Sequence, residues 1–377
     1  MFNFIRKLDR FLVRIALGVM HPAAGPAAIN VAGIRNILII KLWGLGNLIV
    51  ISPLLYKIKY KFPQARVIFL TFGINRGFFE NHQAVDRVIY FEFTTNFIKI
   101  IRQVCALISE LKQEKIDIVI NFETFNNMSA IFTCLIKAPV RIGLHNQHER
   151  RFYTHAVDNN KSWHISKVFS DLLIPLEIKE PYQYTRFKGT RDDKTRAASA
   201  LGAWHADPFI VMHPSTSMNF LGKRFSEKNF SALADLLIVK HGMKVILTGT
   251  RQDRQVVGHI IAGIPNKDKV LGLTGCLTLG ELTELLKMSR LFISNDTGPV
   301  HLAASVGVNV AAIYGPTTPS RFGPLNHNSL VFYKGLPCGP CVGVDYLNKR
   351  CHNDFQCLDF SVSEIAMKIS ERFFDAK

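Results

Sequence analysis

A chain of 377 residues is longer than a single hydrophobic core usually grows, so two domains are expected. With 48% hydrophobic and 20% charged residues and no low-complexity tract, its composition excludes large-scale disorder. The formal net charge of +17 calls for an anionic partner, yet the basic residues form no arginine-rich arm and no zinc-finger, RNA-recognition or basic-zipper pattern. An anionic lipid surface or a phosphorylated substrate therefore fits, and no nucleic acid is expected.

The first element in chain order is helical. In MFNFIRKLDRFLVRIALGVM, Phe4, Ile5, Leu8, Phe11, Leu12, Ile15 and Val19 share one arc of a helical wheel, and Arg6, Lys7, Arg10 and Arg14 share the opposite arc. An apolar face against a basic stripe suits a helix lying in the headgroup plane of a membrane; packing on the protein's own body is the alternative. Charge interrupts the segment too often for it to span a bilayer. No small-residue cleavage site follows an apolar core, so a cytoplasmic setting is expected. Residues 1–33, including the linker-like HPAAGPAAINVAG, form an appended segment.

From Ile34 onward, apolar strand-like runs alternate with amphipathic helical ones, the pattern of a parallel sheet wrapped by helices. NILIIKL, ARVIFLTF, DRVIYF, KIDIVINF and VRIGL predict strands of a first domain over 34–185, with helices up to about Phe62 and over 97–112. PFIVMHP, MKVILTG, the weak KVLGL, SRLFISN and VNVAAIYG predict strands of a second domain over 186–360, before a C-terminal helix over 361–377. Two such halves predict ligand binding beyond the carboxyl ends of their strands.

The most informative segment is SRLFISNDTGPVHLAAS. A strand ends at Ser294, and the polar turn Asn295–Asp296–Thr297–Gly298 leads into a helix beginning at Pro299, a residue suited to a first helical turn. The free N–H groups and positive dipole of that helix start suit a diphosphate; Thr297 adds a hydroxyl donor and His301 lies one turn on. The next strand runs into a second polar loop, in AAIYGPTTPSRFGP.

The span SNDTGPVHLAASVGVNVAAIYGPTTPSRFGP resembles the donor-site region of glycosyltransferase family 9, which contains the ADP-heptose:lipopolysaccharide heptosyltransferases, and the resemblance covers nearly all the chain from Ile34 onward. It implies the α/β GT-B fold of two Rossmann-like doubly wound domains, inversion at the anomeric carbon, and no metal or other cofactor. By the same resemblance Asp296 would contact the donor sugar, while Thr297, Gly298 and His301 would hold the diphosphate.

The loop HPSTSMNFLGKRFSEKNF offers Ser215, Thr216 and Ser217 as hydroxyl donors to phosphate oxygens. Lys223 matches the family's lysine ahead of a helix, where its charge would offset that of the departing diphosphate. Asp253, in LTGTRQDRQ, stands where the family has a carboxylate for ribose hydroxyls; a helix-start acid stabilised by the dipole is the plainer alternative.

The first strand runs into WGLGN, whose Gly44 and Gly46 form an acceptor-side turn. A dinucleotide fingerprint is excluded, because Ile49 takes the third glycine position and no acid closes the next strand. In family 9 this turn usually ends Gly–Asp, the aspartate being the base that deprotonates the acceptor hydroxyl; here Asn47 can orient a hydroxyl but cannot take its proton. Glu123, just past the strand in KIDIVINFETFNN, is the expected replacement base, with a dipole-stabilised helix-start acid as the alternative.

Three cysteines in apolar contexts, Cys105, Cys134 and Cys276, are expected to be buried thiols. Cys338, Cys341, Cys351 and Cys357, with His352 among them, leave zinc, disulfides and free thiols open, because the second pair is split by five residues. The expected function is transfer of a heptose or related sugar from an ADP-heptose-like nucleotide sugar to an anionic glycolipid of the lipopolysaccharide type, at the cytoplasmic face of the inner membrane. A transferase of another sugar in capsule or O-antigen assembly is one alternative, and a catalytically silent nucleotide-sugar-binding or scaffolding protein is the other.

Overall fold

Short, nearly unbroken apolar runs become fully buried parallel strands because helices cover both faces of each sheet. The computed structural model describes Ile29 and residues 33–375, apart from 93, 95, 125–126, 146–148, 180, 185–186, 217–221 and 342–350. The chain divides into two compact units, Met1–Gln183 and Tyr184–Lys377. The expected N-terminal amphipathic helix and Ser217 lie outside the described residues. Among the described residues, no helix is long and apolar enough to cross a membrane.

The first unit begins with β1 (Asn36–Ile40), α1 (Leu45–Lys61), β2 (Arg66–Phe72), α2 (Arg76–Phe79) and β3 (Arg87–Phe91). It continues with α3 (Phe97–Gln113), β4 (Ile118–Asn121), α4 (Asn127–Ile136), β5 (Val140–His145), β6 (His155–Asp158) and α5 (Ile165–Asp171). Every strand pair is parallel, in the order β3-β2-β1-β4-β5-β6. The order therefore reverses between β1 and β4, where Ile40 stands opposite Asn121. Leu38, Ile40, Ile68, Leu70 and Val119 form the centre of one core layer, closed by Leu107 and Leu111 of α3. Truncating one such leucine to alanine costs about 2–5 kcal/mol.

The second unit contains α6 (Arg191–Leu201), β7 (Phe209–His213), α7 (Glu227–His241), β8 (Lys244–Leu247), α8 (Arg254–Ala262), β9 (Val270–Gly272) and α9 (Leu279–Met288). There follow β10 (Leu291–Asn295), α10 (Gly298–Val306), β11 (Val310–Tyr314), α11 (Pro319–Phe322), β12 (Ser329–Tyr333) and α12 (Val362–Phe373). The strand order β12-β11-β10-β7-β8-β9 repeats the arrangement of the first sheet, with its reversal between β7 and β10. Ile365 and Ile369 place α12 in the same core as Leu233 and Leu237 of α7. The C-terminal helix is thus part of the second unit's core.

Several expectations are corrected. The sequence reading omitted β6 and β12, both half-buried edge strands whose apolar signal is weak. The helix α1 opens at Leu45, so Gly46 and Asn47 stand in its first turn and not in the loop before it. The helix α10 opens at Gly298, one residue ahead of Pro299. Cys105 and Cys276 are exposed and Cys134 is half-buried, because apolar neighbours in sequence do not fix which helical or turn face a thiol takes.

Candidate functional site

Side chains at the ends of β7 and β10 tie two loops of the second unit together. Ser294 Oγ donates to the His213 carbonyl at 2.8 Å, and Asn295 Nδ2 donates to the Pro214 carbonyl at 2.6 Å. Asn295 Oδ1 in turn accepts from the Phe225 amide at 2.9 Å. The fully buried Asn295 is thus a strut, fixing the loop after β7 against the turn after β10. His213 is buried beside Thr248 Oγ1 (3.2 Å), and burial, partly countered by Asp253, brings its pKa down to about 4.

This framework places Asp296 and Lys223 together. Lys223 Nζ reaches Asp296 Oδ2 at 2.6 Å, and the Thr317 hydroxyl from the loop after β11 donates to the same oxygen. Asp296 is 8% exposed, so the pair is mostly sheltered from water and its attraction is weakly screened. Thr297 is the N-cap residue of α10 but makes no side-chain cap. Gly298 and His301 stand in the first turn of that helix, whose dipole favours an anion.

His301 Nδ1 lies 2.9 Å from the hydroxyl of Tyr184. Burial raises the Tyr184 pKa, keeping it a phenol, and its oxygen accepts from the Leu325 amide. With the phenol donating to Nδ1, the N–H of a neutral His301 would sit on Nε2, the tautomer that can donate to a phosphate oxygen. The sequence reading missed Tyr184, whose role shows only in three dimensions, and it also missed Thr317.

The remaining expected donor-site residues divide. Ser215 is buried, and among the described residues its hydroxyl has no hydrogen-bond partner. Thr216 Oγ1 accepts from Arg224 Nε at 3.2 Å, while the Arg224 guanidinium stands 3.9 Å from Asp253 Oδ1. Asp253 Oδ2 accepts from both the amide and the hydroxyl of Thr250 at 2.7 Å, a capping box at the start of the helical segment leading into α8. The first duty of Asp253 is therefore to cap, with one oxygen turned toward Arg224.

In the first unit, Gly44 takes φ +88, a conformation that favours glycine, and joins β1 to α1. Asn47 is half-buried in the first helical turn. Glu123 is not an open acid at the strand end: its side chain is 2% exposed and lies against that turn. Its Oε2 accepts from Lys41 Nζ at 2.9 Å, and its Oε1 accepts from the amides of Leu42 (2.5 Å) and Trp43 (3.1 Å). Both oxygens are thus engaged by donors within the first unit.

Cys338, Cys341, Cys351 and Cys357 are free of disulfides, and among the described residues no three His, Cys, Asp or Glu side chains gather into a metal site. Burial, reinforced by the neighbouring thiols, pushes Cys357 up to about 11.

Comparison with known proteins gives a consistent set of matches. The family described as glycosyltransferase family 9 (heptosyltransferase) matches residues 104–352. The chain is 26% identical over 304 residues to lipopolysaccharide heptosyltransferase 3 of Escherichia coli K12, covering 77% of this chain and 85% of that protein. It is 25% identical over 308 residues to lipooligosaccharide heptosyltransferase 2 of Campylobacter jejuni, covering 79% and 86%. Among solved structures, E. coli ADP-heptose LPS heptosyltransferase II superimposes with a TM-score of 0.72 at 18% identity, covering 90% of this chain and 98% of that one. A family 9 glycosyltransferase from Veillonella parvula gives 0.73 at 20% identity, covering 91% and 98%.

Proposed function

The chain belongs to glycosyltransferase family 9 and has the GT-B fold, and from that premise we propose that it moves a heptose from an ADP-heptose-like donor to a lipopolysaccharide-type glycolipid, inverting the anomeric carbon without a metal ion. The Lys223–Asp296 pair, set where the strand order of the second sheet reverses, is the observation that carries this reading. The relatives named for heptosyl transfer support the sugar and the acceptor class.

In the proposed reaction the acceptor hydroxyl oxygen attacks the anomeric carbon from the face opposite the diphosphate. The carbon–oxygen bond to the diphosphate breaks as the new one forms, and the acceptor proton passes to a base. Lys223, the start of α10 and the Nε2–H of His301 balance the negative charge that grows on the leaving diphosphate, the part a divalent cation plays in other transferases. Asp296 holds Lys223 and faces the sugar, Ser215, Thr216 and Ser217 donate to the phosphates, and Asp253 meets the ribose. Asn47 orients the acceptor hydroxyl. Peripheral contact with the anionic inner membrane rests on the net charge of +17 and the amphipathic pattern of the first twenty residues.

The test is transfer by the purified protein from ADP-heptose to heptose-deficient lipopolysaccharide with a chelator present. Product with the inverted anomeric configuration, lost in His301→Ala, is the expected result. Donor binding without turnover would point to the silent binding protein that Asn47 suggests. A preference for another nucleotide sugar would overturn the choice of heptose.

A further inference from the structure

The crevice beyond β1 and β4 is where an open sheet with this strand order ordinarily receives a charged ligand. In this chain Glu123 fills it. Consecutive amides of Leu42 and Trp43 converge on Oε1, and the Lys41 ammonium reaches Oε2 at 2.9 Å. Successive main-chain donors turned toward one point form the kind of concavity in which phosphates are bound. Here the anion is the chain's own carboxylate, with Lys41, 1% exposed, as its counter-ion.

The carboxylate is also held from behind. The Glu123 amide donates to Asn121 Oδ1 at 3.0 Å, and Asn121 Nδ2 reaches Ser129 Oγ and the Tyr153 hydroxyl, each at 2.9 Å. Tyr153 fits there because residue 143 is glycine; a Cβ at that position would come within 2.1 Å of the ring. On the far side of the turn, Asn75 Nδ2 donates to the Leu42 carbonyl at 2.9 Å.

We infer that Glu123 is a positioning residue: an internal anion that closes the turn after β1 and sets the course of the chain from Lys41 to Asn47. It does this in place of serving as the base. A base must offer an oxygen to the acceptor's proton, whereas the Glu123 side chain is 2% exposed and both its oxygens already meet donors inside the protein. The same occupancy leaves the Leu42 and Trp43 amides unavailable to an outside anion. The inference rests on the glycosyl-transfer reading only for its effect on rate.

Lys41→Met, Glu123→Gln and the double variant test it. Melting without substrate, donor affinity, and kcat and acceptor KM are the readouts. Each single change leaves a buried group without its partner and is expected to lower the melting temperature by several degrees. Each should also cut kcat/KM at least tenfold, chiefly through acceptor KM, with donor affinity unchanged. The double variant buries no unpaired charge and should recover most of both losses. If a single variant does not fold, the double decides alone: activity within tenfold of the parent supports positioning, because a missing base costs roughly 10²–10⁴-fold.

Glu123→Gln melting like the parent, with kcat down a hundredfold or more and no recovery in the double, would make Glu123 the base and overturn the inference. Singles that melt like the parent and react like it, or a double as damaged as either single, would overturn it too. The melting comparison involves no substrate, so it stands or fails separately from the proposed reaction.

Discussion

The turns after β1 and after β10 are the same device put to opposite uses. Each follows a central strand, each leads into a helix, and each stands where the strand order of its sheet reverses. After β1 the chain supplies its own anion, Glu123, and the converging amides are spent on it. Neither helix start carries a side-chain cap, but after β10 a lysine–aspartate pair and His301 gather beside it. Under the proposed function, the two units differ in that the amides after β1 are taken by the chain's own carboxylate, whereas the donors after β10 are left to a ligand.

The largest effect should come from removing the charge beside the second turn. Lys223→Ala takes away the cation facing the proposed diphosphate and leaves Asp296 with the Thr317 hydroxyl as its side-chain partner among the described residues. A loss of roughly 10²–10³-fold in kcat is expected, the scale of removing one preorganised donor to a developing charge. Asp296→Asn keeps the shape but weakens the hold on Lys223, so a smaller loss in kcat is expected, with a rise in donor KM. If steady-state kinetics show Lys223→Ala with unchanged kcat, the second turn is not the reacting one and the contrast between the units collapses.

A second test uses one buried histidine from each unit. His82 sits beside Ser52 Oγ (3.0 Å), and burial lowers its pKa to about 4, as for His213 in the second unit. In the unfolded chain each would protonate near 6.5. Between pH 6.5 and 4 the unfolded state therefore binds more protons. The stability that these groups contribute is present above pH 6.5 and is lost as pH falls toward 4. The loss approaches roughly 3 kcal/mol for each histidine. Urea midpoints should drop steadily over that window, and His82→Gln should flatten the slope. A midpoint independent of pH from 7 to 4.5 would contradict the buried, neutral state of both rings.

Much of the fold could be read in the sequence because parallel strands buried on both faces leave long apolar runs such as NILII and VAAIY. The edge strands β6 and β12 could not, since half-exposed edges carry mixed residues and resemble loops. The segment from Ser294 to His301 was legible because strand, turn and helix start are contiguous there. The partners of that segment were not: Tyr184 lies 117 positions from His301, and Thr317 lies 21 from Asp296. Glu123 shows the same limit most sharply. Its position after β4 was readable, but that its carboxylate turns back onto Lys41, 82 residues earlier, depends on packing.

The smallest effect is the most discriminating between the two turns. Glu123 is fully partnered inside the protein, so replacing it should damage the free protein. Ser215 is buried with a hydroxyl that has no partner among the described residues, a cost that a ligand would relieve. Ser215→Ala should therefore leave the melting temperature of the free protein unchanged or slightly higher. It should weaken nucleotide-sugar binding by roughly fivefold to tenfold, or about 1 kcal/mol, measured by calorimetric titration. A drop in melting temperature with unchanged donor affinity would mean that the hydroxyl serves the fold, and that the second turn is closed from within like the first.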